Sequence, residues 1–128
     1  QMQTLSAKYT IAEVAFDRWG ATRISTQLAD AGFTMVEFGQ GYASMSAPTK
    51  ELLRMVLGQQ FAHGGNPILR WMADNVTVGQ DAAGNVKPSK GKSREKIDGI
   101  VATVMGLDRA LRRERGGSVY DERGMLEI

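Results

Sequence analysis

Cysteine is absent from this chain of 128 residues, and histidine occurs once, at His63. Without cysteine the chain can form no disulfide, no cysteine-based zinc site and no thiol nucleophile. A serine nucleophile would depend on that single histidine, and no Gly-x-Ser-x-Gly sequence is present to carry it. These absences disfavour nucleophilic catalysis and leave the carboxylates as the candidates for chemistry.

Long hydrophobic runs are absent as well. No segment approaches the roughly 20 consecutive apolar residues of a membrane-spanning helix, and the N-terminal sequence lacks the basic and apolar regions of a signal peptide. The length suits one domain of ordinary size, and a hydrophobic content of 42% is typical of a folded globular chain. We therefore expect a cytoplasmic protein with no membrane partner.

Basic residues are unevenly distributed along the chain. The net charge is only +2, yet residues 86–128 carry ten Lys and Arg against seven Asp and Glu, whereas residues 1–85 carry six against seven. Five of the basic residues fall within ten positions that contain a single acid, Glu95. Such a segment suits a loop beside a polyanion, and the alternative is a solvated loop with no partner. The five residues are Lys87, Lys90, Lys92, Arg94 and Lys96.

Hydrophobic spacing predicts the elements of the first forty residues. A short helix is predicted for 2–9, a buried strand for 12–16, a helix for 21–31 and a strand for 35–38. Asp17 follows the first of these strands. Because strand, helix and strand follow one another with short connections, the two strands are expected to be parallel.

Cap and turn signals predict two helices in the middle of the chain. Ser46 is the expected N-cap of the first, with Pro48 in its first turn and Gly58 at its end. Asn66 is expected to cap the second, which should end near Asn75.

The last third is predicted to form a hairpin and a long helix. Two short strands within 76–88 flank a turn-rich tetrapeptide, and the basic loop 89–96 follows them. An apolar stripe then predicts a helix from Ile97 to about Arg113, with Asp98 in its first turn.

Two aspartates occupy positions that a ligand can reach. Asp17 stands at the carboxyl end of a predicted parallel strand, where α/β sheets bind ligands, and Asp98 lies in the first turn of a helix. Oxygen ligands of this kind suit Mg²⁺ or Mn²⁺, and the alternative is that both residues only cap and orient their elements. An ATP site is not predicted, because Val86 stands where a P-loop ending in Gly91-Lys92-Ser93 requires glycine.

Short blocks of sequence occur in a fixed order along the chain. They are Ala15-Phe16-Asp17-Arg18-Trp19-Gly20-Ala21, Glu37-Phe38-Gly39-Gln40-Gly41, His63-Gly64-Gly65-Asn66-Pro67 with Trp71-Met72-Ala73-Asp74-Asn75-Val76, and Lys96-Ile97-Asp98-Gly99-Ile100-Val101-Ala102. With these blocks the chain resembles the C-terminal nuclease domain of the large terminase subunit of tailed bacteriophages, the DNA-packaging motor protein. The resemblance covers about residues 8–112, and the ending 118–128 is similar too.

The resemblance implies a fold and a reaction. The fold is α/β, a ribonuclease-H-like mixed sheet flanked by helices, and the reaction is the cutting of concatemeric viral DNA. Acidic residues of the family hold two divalent ions, Mg²⁺ or Mn²⁺, and Asp17 and Asp98 match two of them as catalytic and metal-binding residues. The five basic residues then become candidates for contacts with double-stranded DNA. The implied protein partners are the small terminase subunit and the portal or procapsid.

The resemblance also leads us to expect an incomplete domain. The family's large subunit begins with an ATPase domain and enters its nuclease domain through three strands that bear a further catalytic aspartate, and the chain matches neither. We expect residues 1–115 to form a partial nuclease domain, residues 116–128 a C-terminal extension, and an exposed sheet edge to drive self-association. The alternatives are a noncatalytic DNA-binding or motor-docking module, or another ribonuclease-H-like enzyme such as a resolvase or transposase core.

Overall fold

Five helices and four strands alternate along the residues that the computed structural model describes, which are 2–18 and 21–127. Trp19 and Gly20, part of the first resembling block, lie outside the described residues, as do the two chain ends. The elements are α1 (Met2–Lys8), β1 (Val14–Asp17), α2 (Thr22–Asp30), β2 (Met35–Phe38), α3 (Tyr42–Leu57), α4 (Pro67–Asn75), β3 (Val78–Gln80), β4 (Val86–Pro88) and α5 (Asp98–Glu127).

The first of two compact units ends at Gln40 and contains the predicted strand, helix and strand. β1 and β2 pair in parallel, with Val14 opposite Met35 and Asp17 opposite Phe38. After α2 the chain turns at Gly32, whose φ of +99° favours glycine because a side chain would meet steric strain there. The parallel pairing predicted from the short connections is confirmed.

The second unit begins at Gly41, and its first helix differs from the prediction. α3 starts at Tyr42, so Ser46 lies inside the helix and does not cap it. The Ser46 hydroxyl instead accepts a hydrogen bond from the Val86 N–H of β4 at 3.1 Å, and Pro48 is buried within the helix. The prediction was wrong because packing between α3 and β4 uses the serine for a long-range contact and supports one more helical turn.

The hairpin forms as predicted. β3 and β4 are antiparallel, and Gly79 lies opposite Lys87. The turn between them is held by Asp81, whose carboxylate accepts hydrogen bonds from the Ala83 and Asn85 N–H groups and from the Asn85 side-chain amide. This short hairpin leads directly into the basic loop.

The core of the second unit lies between α3 and α5. Met45, Ile97 and Val104 are almost fully buried, and the rest of the apolar stripe of α5 follows the predicted helical spacing. α5 continues to Glu127, past the end that the sequence predicts near Arg113. Glycines at the start of the predicted extension weaken a helix by about 1 kcal/mol each relative to alanine, which does not suffice to end this one.

The fold class is mixed α/β, with two small two-stranded sheets among the described residues. None of the described helices is both long and apolar enough to cross a bilayer.

Candidate functional site

Asp98 opens α5 and carries the exposed carboxylate predicted from the sequence. Ile97, which precedes it, is 1% exposed, and its carbonyl accepts hydrogen bonds from the Ile100 and Val101 N–H groups. The buried isoleucine therefore fixes the start of the helix while the adjacent aspartate faces solvent. The Asp98 Oδ1 atom lies 3.1 Å from the Lys90 Nζ atom and forms an ion pair with it.

Serine hydrogen bonds hold the basic loop in a defined conformation. The Ser89 N–H donates to the Thr77 carbonyl at 2.7 Å, and the Ser93 hydroxyl accepts from the Thr77 N–H at 2.9 Å. The Ser89 hydroxyl accepts from the Lys92 N–H at 3.2 Å. These bonds attach the loop to Thr77, the residue just before β3.

A depression of about 420 Å³ lies between this loop and the start of α5. Three of the five predicted DNA-binding residues and one of the two predicted metal ligands line it, and Glu95 adds a second carboxylate. From the sequence, Glu95 was noted only as the single acid among the basic residues. Its position three residues before Asp98 is the one feature that could have indicated that the two carboxylates lie near each other. The predicted residues that line the depression are Lys90, Arg94, Lys96 and Asp98.

Lys87 and Lys92 are not among the residues that line the depression. Lys87 lies on β4, half-buried, with its ammonium 4.7 Å from the centre of the Tyr42 ring. That distance suits a cation–π contact, which attaches β4 to α3. Lys92 is exposed at the tip of the loop. The contact of Tyr42 was not predicted, because nothing in the sequence around it indicates that the ammonium of a lysine 45 positions later lies over its ring.

Asp17 ends β1 in the first unit, as predicted. It is half-buried and lies opposite Phe38, the last residue of β2. The structure thus places it at the carboxyl end of a parallel pair of strands, the edge at which α/β folds bind ligands. Asp17 belongs to the first unit and Asp98 to the second.

The chemistry of the donor atoms decides what kind of metal site these residues can form. Among residues 2–18 and 21–114, no group of three or more Asp, Glu or His side chains lies close enough to hold an ion. The described side chains therefore form no closed cage. Mg²⁺ commonly takes one or two carboxylates and completes its shell with water and phosphate oxygens, and the exposed Asp98 carboxylate fits a site of that open kind.

Three polar residues of the resembling blocks have structural roles. Asn66 caps α4 by accepting hydrogen bonds from the Ile68 and Leu69 N–H groups at 2.9 and 3.1 Å. The Asn75 side chain donates to the Trp71 carbonyl at 2.8 Å, and the His63 Nδ1 atom accepts from the Gly65 N–H at 3.1 Å. Each of these side chains therefore bonds to backbone within four residues of it in the chain.

A second cavity, of about 340 Å³, lies between α3, α4, α5 and the hairpin. Apolar side chains such as Leu53, Val56 and Phe61 make up most of its wall, and His63 reaches it from one side. The cavity contains no carboxylate among its lining residues and is separate from the predicted site.

Comparison with known proteins identifies the family. Residues 2–114 match the family described as terminase large subunit, endonuclease domain. The chain belongs to this family. This match confirms the family resemblance inferred from the sequence blocks. Asp17, Asp98 and the whole basic loop lie inside the matched region of this terminase nuclease domain.

The chain is similar to two curated proteins and one solved structure. Protein YmfN of Escherichia coli K12 is 40% identical over 114 residues, which cover 87% of this chain and 25% of that protein. The large terminase subunit of Enterobacteria phage HK97 is 35% identical over 117 residues, covering 88% of this chain and 23% of that protein. The crystal structure of the HK97 bacteriophage large terminase is similar with a TM-score of 0.77 and 33% identity, over 84% of this chain and 23% of that one. The chain spans about a quarter of the length of these relatives.

Proposed function

We propose that the chain is part of a metal-dependent DNA endonuclease that cuts concatemeric viral DNA during packaging. The observation that carries the proposal is the depression at the start of α5, where an exposed carboxylate, Asp98, stands among Lys90, Arg94 and Lys96. A nuclease needs this combination, because a carboxylate recruits the cation that acts on a phosphodiester while basic groups hold the polyanion. Membership of the terminase endonuclease family supports the same reaction.

Asp17 and Asp98 are the proposed catalytic and metal-binding residues. Both are carboxylates at ends of elements, one after β1 and one in the first turn of α5, so their backbones are fixed while their side chains remain accessible. A pair of divalent ions, Mg²⁺ or Mn²⁺, would supply an activated water and neutralise the leaving oxygen of the phosphodiester.

The basic residues of the loop are proposed to contact the DNA backbone. Arg94 and Lys96 are exposed beside Asp98, and Lys92 stands exposed at the loop tip. Contacts of this kind give affinity that falls with salt and carries little base specificity. Lys87 contributes less in this arrangement, since its ammonium already lies over the Tyr42 ring.

The setting proposed for this activity follows from the family. The complete nuclease is proposed to have a ribonuclease-H-like sheet, of which β1 and β2 would be two strands, with residues 1–115 as the nuclease portion and 116–128 as its extension. We place its action in the cytoplasm of the bacterial host, with the small terminase subunit and the portal or procapsid as partners. Self-association through an open edge of the β1–β2 pair completes the proposal.

Cleavage of supercoiled plasmid in Mn²⁺ tests the nuclease proposal. We would compare this chain with a version extended N-terminally through the strands that precede it in the family. Asp98→Asn and Asp17→Asn are expected to reduce cleavage by at least about a hundredfold, because an amide is a far weaker ligand for a hard cation than a carboxylate. Asp74→Asn and Asp30→Asn remove exposed carboxylates outside the proposed site and should leave cleavage unchanged.

The same assay separates the nuclease from a DNA-binding or motor-docking module. If neither form cuts while both still bind DNA, the noncatalytic interpretation replaces the proposal. If cleavage occurs but survives Asp98→Asn, the carboxylate at the start of α5 is not a metal ligand.

A further inference from the structure

The ion pair between Lys90 and Asp98 connects the two parts of the proposed site. The Lys90 ammonium belongs to the loop that would hold DNA, and the Asp98 carboxylate is the proposed metal ligand. Their 3.1 Å separation means that, before DNA or metal arrives, the lysine occupies an oxygen that a cation would need. Each group therefore has a competing partner, phosphate for the ammonium and a divalent ion for the carboxylate.

The pair spans two separately positioned pieces of backbone. Lys90 follows Ser89, whose N–H is bonded to the Thr77 carbonyl, while Asp98 follows the buried Ile97. Because the two residues are on different elements, their contact is not the automatic neighbour contact of one helix face. The hairpin and the helix together bring the ammonium to the carboxylate.

The exposure of the pair makes it easy to exchange. The Lys90 and Asp98 side chains are 57% and 65% exposed, so solvent screens their attraction. Pairs of this kind shift a competing equilibrium by up to about fivefold, which is enough to bias the carboxylate but not to block a divalent ion. Arg94 and Lys96 line the same depression and would draw a phosphate toward Lys90.

We propose that Lys90 is a positioning residue that holds Asp98 in place and releases it to the metal when a DNA phosphate binds the lysine ammonium. This inference rests on the proposed nuclease function. By linkage, DNA that withdraws Lys90 from Asp98 raises metal affinity, and bound metal raises DNA affinity by the same factor. The site is thereby biased to take up metal with substrate present.

Mn²⁺ binding, measured as the loss of the free-ion signal in electron paramagnetic resonance, tests this without an activity readout. In the absence of DNA, Lys90→Met is expected to tighten Mn²⁺ binding by about two- to fivefold, because the competing cation is removed. Lys90→Arg keeps a cation within reach of the carboxylate and should restore the wild-type affinity. Adding a short DNA duplex should tighten Mn²⁺ binding more in the wild type than in Lys90→Met.

A charge-matched neighbour separates the ion pair from general electrostatics. Lys92→Met removes the same charge from the same loop at a residue outside the depression, so its effect should be smaller than that of Lys90→Met. Equal effects of the two variants, or no effect of Lys90→Met on Mn²⁺ affinity, would overturn the inference while leaving the nuclease proposal intact. Mn²⁺ binding that does not depend on Asp98, shown with Asp98→Asn, would overturn the assignment of Asp98 as a metal ligand and this inference with it, whereas loss of plasmid cleavage in every form would overturn the nuclease proposal.

Discussion

Asp81 illustrates how one side chain can hold a turn. Its carboxylate accepts hydrogen bonds from two backbone N–H groups and from the Asn85 side-chain amide. One side chain therefore makes three of the hydrogen bonds that hold the turn between β3 and β4. The hydrogen bond from the Asn85 side chain is the largest reason that the pKa of Asp81 lies below its usual value. This is the turn chemistry expected of aspartate at the first position of a loop.

The lowered pKa predicts how acid affects the hairpin. The folded state favours the charged carboxylate, so its contribution to stability is present above the pKa of the unfolded chain and is lost as pH falls through the lower folded value. Asp81→Asn should lower the midpoint of thermal unfolding at neutral pH, and the difference from wild type should disappear in acid. Circular dichroism melts across pH measure it; Asp74→Asn, on the exposed side of α4, is the control. A difference that persists unchanged in acid would contradict this role.

Of the two helix N-caps predicted from individual residues, one was correct and one was wrong. Asn66 was correctly predicted as an N-cap because asparagine followed by Pro67 has few other uses at that position. Ser46 and Pro48 carry the same kind of signal, yet α3 begins at Tyr42. The difference is tertiary, since the Ser46 hydroxyl bonds to β4, forty residues later in the chain.

At the scale of elements, the approach of α4 to α5 depends on a glycine. A Cβ atom on Gly99 would lie 2.8 Å from the Met72 sulfur and 3.4 Å from a Leu69 methyl carbon, and the Gly99 N–H points at that sulfur. A Cβ on Gly106, later in the same helix, would meet nothing within 4 Å. Gly99 and Gly106 therefore have opposite consequences for packing.

Alanine substitutions should separate these two positions. Gly106→Ala is expected to stabilise the chain by about 0.5–1 kcal/mol, since alanine is the better helix former and no atom opposes it. Gly99→Ala places a Cβ against the Met72 sulfur and a Leu69 methyl carbon, which must shift to admit it, so this variant should be less stable than Gly106→Ala. Urea unfolding measures both free energies, and equal stabilisation by the two variants would show that α4 does not press on α5 at this point.

At the scale of the whole molecule, two features leave surface without a partner among the described residues. β1 and β2 form a sheet of only two strands, which is marginally stable by itself. The second unit exposes large apolar side chains on α3 and α4, and such patches favour association. These are Leu53, Val56, Leu57, Ile68 and Trp71.

Self-association is the resulting prediction, with the interface at an edge of the β1–β2 pair. Sedimentation velocity at micromolar concentration is expected to detect a species larger than the monomer, and dilution should dissociate it. Leu57→Glu places a charge in the second of these surfaces, on an apolar residue of α3 that is 76% exposed, and association at the strand edge should survive it. A folded monomer, or an association abolished by Leu57→Glu, would refute an interface at the strand edge.

Most local elements and the family membership were predicted from the amino-acid sequence. The parallel β1–β2 pair, the Asn66 cap, the hairpin turn at Asp81 and the apolar stripe of α5 all depend on residues close together in the chain, so spacing and turn chemistry predict them. Asp17 and Asp98 were found in the same way, because each stands at the end of a local element.

Contacts between residues of different elements could be read only from the tertiary structure. The Lys90–Asp98 pair, the depression shared with Arg94 and the contact of Lys87 with the Tyr42 ring join separate elements, and no local pattern records such distances. The early start of α3 has the same origin. Contacts between residues distant in the chain depend on how whole elements pack, and packing is fixed by the combined shape of their buried faces rather than by any one stretch of sequence.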